Sequence, residues 1–295
     1  MKKILVIATA AAFLFSCASA GRVETAAAPE AAQKTEILAA APAPVQKEPV
    51  LITVRIPVET KSKQYFADAT LDEYTLSEYS SSDDLLAQSR YSASGSVVER
   101  TEYSYKDGEL ISKKIIDGEG KLQSRKTYSY GPRGHILLEV LEDGAGKTIS
   151  SFEYSYDEQG HRSAWIVKDS KGVPIAETLY SYKDGRIRSA ELRDGSGKKT
   201  GSSAYEYDAE GFLSVQRYFD ASGSTLRIES TTWKDAKIVL EERSTAGGFV
   251  QQRSTYEYGK DGELLKKTME DLVGKNKRIF EYEYRFREEQ RRIEG

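Results

Sequence analysis

The residues with the clearest capacity for chemistry are tyrosines set two apart. Tyr103 and Tyr105, Tyr128 and Tyr130, Tyr154 and Tyr156, Tyr180 and Tyr182, Tyr205 and Tyr207, Tyr256 and Tyr258, and Tyr282 and Tyr284 fall on a period of 25 or 26 residues, and one unit carries Thr231 and Trp233 instead. A flat ring with a polar tip can stack on a sugar or pack against a peptide. These tyrosines and Trp233 therefore form a candidate ligand-binding aromatic track. They serve equally well as a structural ladder, because aromatic cross-strand neighbours stabilise a sheet by very roughly 0.2–1 kcal/mol each. In that reading each unit's tyrosines stack in register with the next unit's.

Other reactive groups point to little chemistry. His135 and His161 each follow the Gly of an equivalent turn. As a zinc pair they would need further N or S ligands, and a chain with one cysteine offers none to spare, so they are expected to be turn residues. The aspartates recur at turn starts, where the side chain bonds its own backbone. One carboxylate per turn falls short of the 6–8 oxygens that calcium takes. No nucleophile elbow, P-loop or dinucleotide fingerprint is present. The expectation is a non-enzymatic protein with no cofactor and no metal.

The period identifies the elements that carry the tyrosines. A fixed repeat of this size means a repeat architecture, and repeats build extended surfaces. Each unit has two turn signals. One follows the tyrosines, as in Lys106-Asp107-Gly108, Gly131-Pro132-Arg133-Gly134 and Lys234-Asp235-Ala236. The other is D-x-x-G, as in Asp117 to Gly120, Asp143 to Gly146 and Asp271 to Gly274. The 25/26 alternation is a one-residue change in the first turn, since the D-x-x-G start always lies 13 residues before the next second tyrosine. Asp-Gly suits a tight hairpin turn, whose backbone needs positive φ.

Between turns lie runs rich in Tyr, Ile, Val, Leu, Thr and Ser, which suit strands. The two tyrosines share one face, and the residue between them (Ser129, Ser155, Ser181, Glu206, Thr232, Glu257 or Glu283) is polar and expected to face water. The predicted fold is all-β: an antiparallel β-meander of tandem two-strand repeats, about 16 strands in all, forming a single-layer or rolled extended sheet. A transmembrane barrel would need a continuous lipid-facing apolar stripe. Both strand faces instead carry Lys, Glu, Arg or Ser in several units.

The ends differ from the middle. Met1-Lys2-Lys3 and the apolar run Ile4 to Phe15 have the form of a secretory signal. From Ala18 to about Pro49 the chain is Ala-, Pro- and Glu-rich and reads as an extended tether. The expected organisation is a signal peptide over 1–16, the tether over 17–49, a capping strand region over 50–76, hairpin repeats over 77–284 and a charged cap or tail over 285–295. Formal charge is −3, and loss of Lys2 and Lys3 with the signal makes it about −5. Charges of both signs are interspersed, without the basic face that nucleic-acid binding requires.

Two resemblances add to this reading. Leu14-Phe15-Ser16-Cys17 resembles the lipobox of bacterial lipoproteins. That resemblance implies cleavage before Cys17, lipidation of Cys17 and anchoring to a membrane. Ala18 and Ser19 lack the Asp associated with inner-membrane retention, so the outer membrane is the implied location. Tyr154-Ser155-Tyr156-Asp157-Glu158-Gln159-Gly160 and Tyr205-Glu206-Tyr207-Asp208-Ala209-Glu210-Gly211-Phe212-Leu213 resemble the YD repeat of RHS-type and wall-associated bacterial surface proteins. The likeness covers about residues 77 to 284 and implies an extracytoplasmic β-hairpin array with an envelope protein or glycan as partner. A structural envelope spacer without a specific ligand is the alternative.

Overall fold

The computed structural model describes residues 50–293. The expected signal peptide, Cys17 and the tether lie outside the described residues.

Hairpin follows hairpin along the chain. The strands are β1 (Val50–Tyr65), β2 (Leu71–Tyr79), β3 (Leu85–Ser92), β4 (Val97–Lys106), β5 (Glu109–Asp117), β6 (Leu122–Tyr130), β7 (Ile136–Asp143), β8 (Thr148–Tyr156) and β9 (Arg162–Asp169). They continue as β10 (Pro174–Lys183), β11 (Arg186–Asp194), β12 (Lys199–Tyr207), β13 (Leu213–Asp220), β14 (Thr225–Lys234), β15 (Lys237–Thr245), β16 (Val250–Tyr258), β17 (Leu264–Asp271) and β18 (Asn276–Ile293).

The turns behave as their residues dictate. Asp107 and Gly108 have φ of 52° and 81°, the paired positive values of a two-residue hairpin turn. Asp235 and Ala236 adopt the same geometry at 51° and 57°, so here an alanine tolerates the left-handed region. At the other end Gly120, with φ 84°, donates to the Asp117 carbonyl while Asp117 N donates to the Lys121 carbonyl. The Asp117 carboxylate accepts from the amides of Glu119 and Lys121 at 3.0 and 2.9 Å. Those bonds hold its carboxyl below the usual carboxylate range, the Lys121 amide being the largest cause.

Every strand pairs antiparallel with its sequence neighbour, and β1 also pairs with β18 from Val50↔Ile293 to Tyr65↔Ile279. The 18-stranded sheet is therefore closed. This corrects the expectation of an open or rolled sheet of about 16 strands. The repeats from residue 85 onward supply β3 to β18. The two further strands come from residues 50–79, which lack the repeat's spacing and gave no periodic signal. The region expected as a cap forms β1 and part of β2, and residues 285–293 belong to β18.

Register fixes the wall. Following paired residues once round returns to β1 about 18 residues further along, a shear equal to the strand number. The same ratio in eight-stranded barrels gives a tilt near 36°. Strands about 4.8 Å apart at that tilt enclose a backbone cylinder roughly 30–35 Å across. Eight strands fill such an interior with side chains, whereas 16 to 18 leave open space.

β1 and β18 run on past their other neighbours. β2 pairs with β1 only from Lys61 onward, and β17 pairs with β18 only as far as Glu281. Residues 50–58 and 285–293 thus continue as a two-stranded ribbon beyond the tyrosine-end rim. Arg55 pairs with Asp261 in the β16–β17 turn at 2.7 Å, and Arg285 and Arg287 pair with Asp83 in the β2–β3 turn.

Candidate binding surface on the inner wall

The closed sheet gives every strand an inner and an outer face, and the tyrosines take the inner one. Burial is the first cause of the raised pKa of Tyr282 and Tyr284, yet Glu283 between them has a half-exposed side chain paired to Lys63 at 2.5 Å. The concave side of a barrel surrounds a side chain with more protein than the convex side, so the desolvated face is the interior. Burial likewise pushes Tyr128, Tyr182 and Tyr218 up to about 12. Ser129, Ser155, Ser181, Glu206, Thr232, Glu257 and Glu283 are all exposed, as the alternation predicts.

The outer face is a belt of ion pairs. Arg100–Glu78 (2.6 Å), Arg125–Glu142 (2.6 Å), Lys168–Glu153 (2.5 Å), Arg217–Glu206 (2.9 Å) and Arg253–Glu242 (2.7 Å) bridge neighbouring strands. Arg or Lys on the lipid face of a barrel costs about 2–4 kcal/mol at the bilayer midplane. This outer wall therefore suits water.

The two tyrosines of each pair do different work. The second one bonds a backbone carbonyl 20 residues earlier, across the adjacent strand. Tyr79 bonds Glu59, Tyr130 Leu110, Tyr156 Ile136, Tyr182 Arg162, Tyr207 Ile187, Tyr258 Ile238 and Tyr284 Leu264, at 2.5 to 3.0 Å. Trp233 makes the same bond to Leu213 through its indole N–H at 2.9 Å. In many units a side chain of the preceding turn also covers the ring. His135 stacks on Tyr156 (4.6 Å), His161 on Tyr182 (4.7 Å) and Phe212 on Trp233 (4.8 Å), while Arg186 and Lys237 lie over Tyr207 and Tyr258. The histidines are thus packing partners of the next unit's tyrosine. A spacing of 21 residues from each His to its tyrosine was the available sequence signal.

The first tyrosine of each pair lies deeper along the inner wall. Tyr103 donates to Gln88 (3.0 Å), Tyr154 to Glu139 (2.9 Å) and Tyr256 to Glu241, each acceptor 15 residues earlier. Successive tyrosine pairs do not stack on one another, contrary to the expected ladder. They occupy every second strand, roughly 10 Å apart, and the intervening strand places its own residue between them. Opposite Tyr103, Tyr128, Tyr154, Tyr180, Tyr205 and Tyr256 stand Lys113, Glu139, Trp165, Ala190, Gln216 and Lys267. The inner wall is consequently a mosaic of phenols, carboxylates and amines. Lys126 pairs with Glu139 at 2.7 Å, and Glu229 accepts from Arg227 and Arg243 at 3.2 and 3.1 Å.

Fold and repeat together define the class, an antiparallel up-and-down β-barrel assembled from hairpin repeats. No family model matches the chain, and no curated protein matches it in sequence. Among solved structures, a porin-like protein from Bacteroides uniformis is 13% identical with a TM-score of 0.40, covering 77% of this chain and 98% of that one. A porin-like protein from Bacteroides vulgatus is 10% identical with a TM-score of 0.33, covering 77% and 98%. TcdB2-TccC3 is 12% identical with a TM-score of 0.27 over 72% of this chain, which spans 15% of its own length.

Proposed function

We propose that this chain is a non-enzymatic, lipid-anchored cell-envelope protein whose hollow barrel binds a glycan or protein partner on its inner wall. Support for the anchor comes from Leu14-Phe15-Ser16-Cys17, with Cys17 as the lipidated residue and the outer membrane as the site. Two acyl chains suffice for stable anchoring. Such a protein would stand in water beside the membrane, in keeping with its ion-paired outer wall.

The observation that carries binding is the mosaic interior. Rings with fixed carboxylates and amines beside them are the ingredients of a site that takes an amphipathic, polar ligand. Only the deeper tyrosine row is free for this role in full, because the rim row is committed to backbone carbonyls.

A pull-down with residues 18–295 against envelope extract and purified cell-wall glycan tests the proposal. Specific capture of either partner supports it. Capture of neither by folded protein favours a structural envelope spacer.

A further inference from the structure

The inner wall has one place where its aromatic row becomes continuous. The position opposite the first tyrosines holds Lys113, Glu139, Ala190, Gln216, Glu241 and Lys267 in other units, but Trp165 on β9. Trp165 pairs across the strands with Tyr154 on β8 and lies parallel to Phe152, at 6.1 Å between centroids and 12° between planes. Three rings from two adjacent strands thus share one stretch of inner wall.

Stability does not explain this indole. Its Nε1 is buried without an acceptor, and a buried unsatisfied donor costs about 1–3 kcal/mol. Neighbouring units fill the same position with Gln, Glu, Lys or Ala.

A fixed polar pair lies beside the rings. Glu139 accepts from Tyr154 at 2.9 Å with one oxygen and from Lys126 at 2.7 Å with the other. The Lys126 ammonium in turn sits 5.0 Å from the Phe152 ring centre. A carboxylate and an ammonium held at the edge of an aromatic surface can accept from and donate to adjacent hydroxyls. An apolar ligand would leave both groups desolvated.

We infer that Trp165, Tyr154 and Phe152, with Glu139 and Lys126, form a pyranose-stacking subsite for a neutral oligosaccharide. One sugar ring lies against the indole while its hydroxyls meet the Glu139–Lys126 pair. This inference rests on the glycan reading of the proposed function and locates it.

The chain has two tryptophans, and the second can be removed within the repeat's own vocabulary. Trp233→Tyr installs the residue that seven other positions use for the same backbone bond, leaving Trp165 as sole indole reporter. Titration of this variant with an N-acetylglucosamine tetramer and with cellotetraose is expected to give a saturable change in emission for at least one. Trp165→Gln, which copies Gln216, should weaken that binding about tenfold or more by calorimetry, with melting temperature and circular dichroism retained. Unchanged affinity in folded Trp165→Gln overturns the subsite and leaves glycan binding standing elsewhere on the wall. No saturable binding of either sugar by the folded parent chain overturns the subsite and its glycan premise together.

Discussion

The Trp233 indole N–H donates to the Leu213 carbonyl at 2.9 Å, the bond that Tyr156 makes to Ile136 at 2.8 Å and that six further tyrosines make in their own units. The unit that looks degenerate in sequence is therefore intact in function. What the position requires is a flat ring with a donor at its far end, long enough to cross one strand.

That requirement predicts an order of substitutions. Tyr156→Phe keeps the ring against His135 but leaves the Ile136 carbonyl without this donor, and should lower stability by about 0.5–1.5 kcal/mol. Trp233→Tyr should be close to neutral, and Trp233→Ala should cost about 3–5 kcal/mol through lost ring burial. Urea denaturation followed by circular dichroism measures all three. Equal stability of Tyr156→Phe and the parent would show that stacking alone holds the hairpins together.

Some turn glycines are fixed by a neighbour rather than by their own φ. A Cβ on Gly144 would overlap the Leu122 backbone carbonyl, as one on Gly195 would overlap that of Pro174. Gly144→Ala should therefore destabilise by roughly 1–3 kcal/mol as the two strands part. Ser170 holds the corresponding position between Asp169 and Gly172, so Ser170→Ala should fall within about 0.5 kcal/mol of the parent. Thermal melts of the two variants side by side give the comparison.

Closure of the barrel can be tested by a cross-link. Thr53 faces Gln290 across β1 and β18, and opposed antiparallel residues have Cα atoms about 4.5–5.5 Å apart, within disulfide reach. In a Cys17→Ser background, Thr53→Cys with Gln290→Cys should oxidise to an intramolecular bridge. Altered mobility on a non-reducing gel reports it. A sheet whose ends stayed apart would give no such species.

The desolvated phenols set an alkaline limit. A folded pKa raised above that of the unfolded chain favours the neutral phenol in the fold. Its contribution is fully present below the ordinary value near 10. It is then lost as pH rises towards about 12, where Tyr128, Tyr182 and Tyr218 titrate in the fold. Stability should accordingly be flat to about pH 10 and fall steeply between about 10 and 12. Tyrosinate absorbance should rise together with loss of the β-sheet signal. Ionisation of these phenols near pH 10 in the folded barrel would contradict their burial.

The outer ion-pair belt and Cys17 make a joint prediction. Residues 18–295 should remain monodisperse in buffer without detergent, whereas the full chain should incorporate labelled palmitate in a bacterial host and lose that label in Cys17→Ser. Dependence of residues 18–295 on detergent would mean that the barrel wall itself meets lipid.

The amino-acid sequence by itself determined everything local. The 25/26-residue period, the hairpins, the positive-φ Asp107-Gly108 turn and the exposure of the residue between each pair of tyrosines follow from residue type and a side-chain alternation of two. The tertiary structure decided what accumulates over distance. Closure depends on β1 meeting β18, strands without the tyrosine spacing whose paired residues lie more than 200 positions apart. It follows from small register offsets added over all the pairings, and no single hairpin encodes that sum. Closure also decided that the tyrosines face inward, that the rim row bonds a strand of the preceding unit, and that Trp165 comes to lie beside Tyr154 and Phe152. A period in the chain states which residues share a face. Only the curvature of the whole wall states which face is inside.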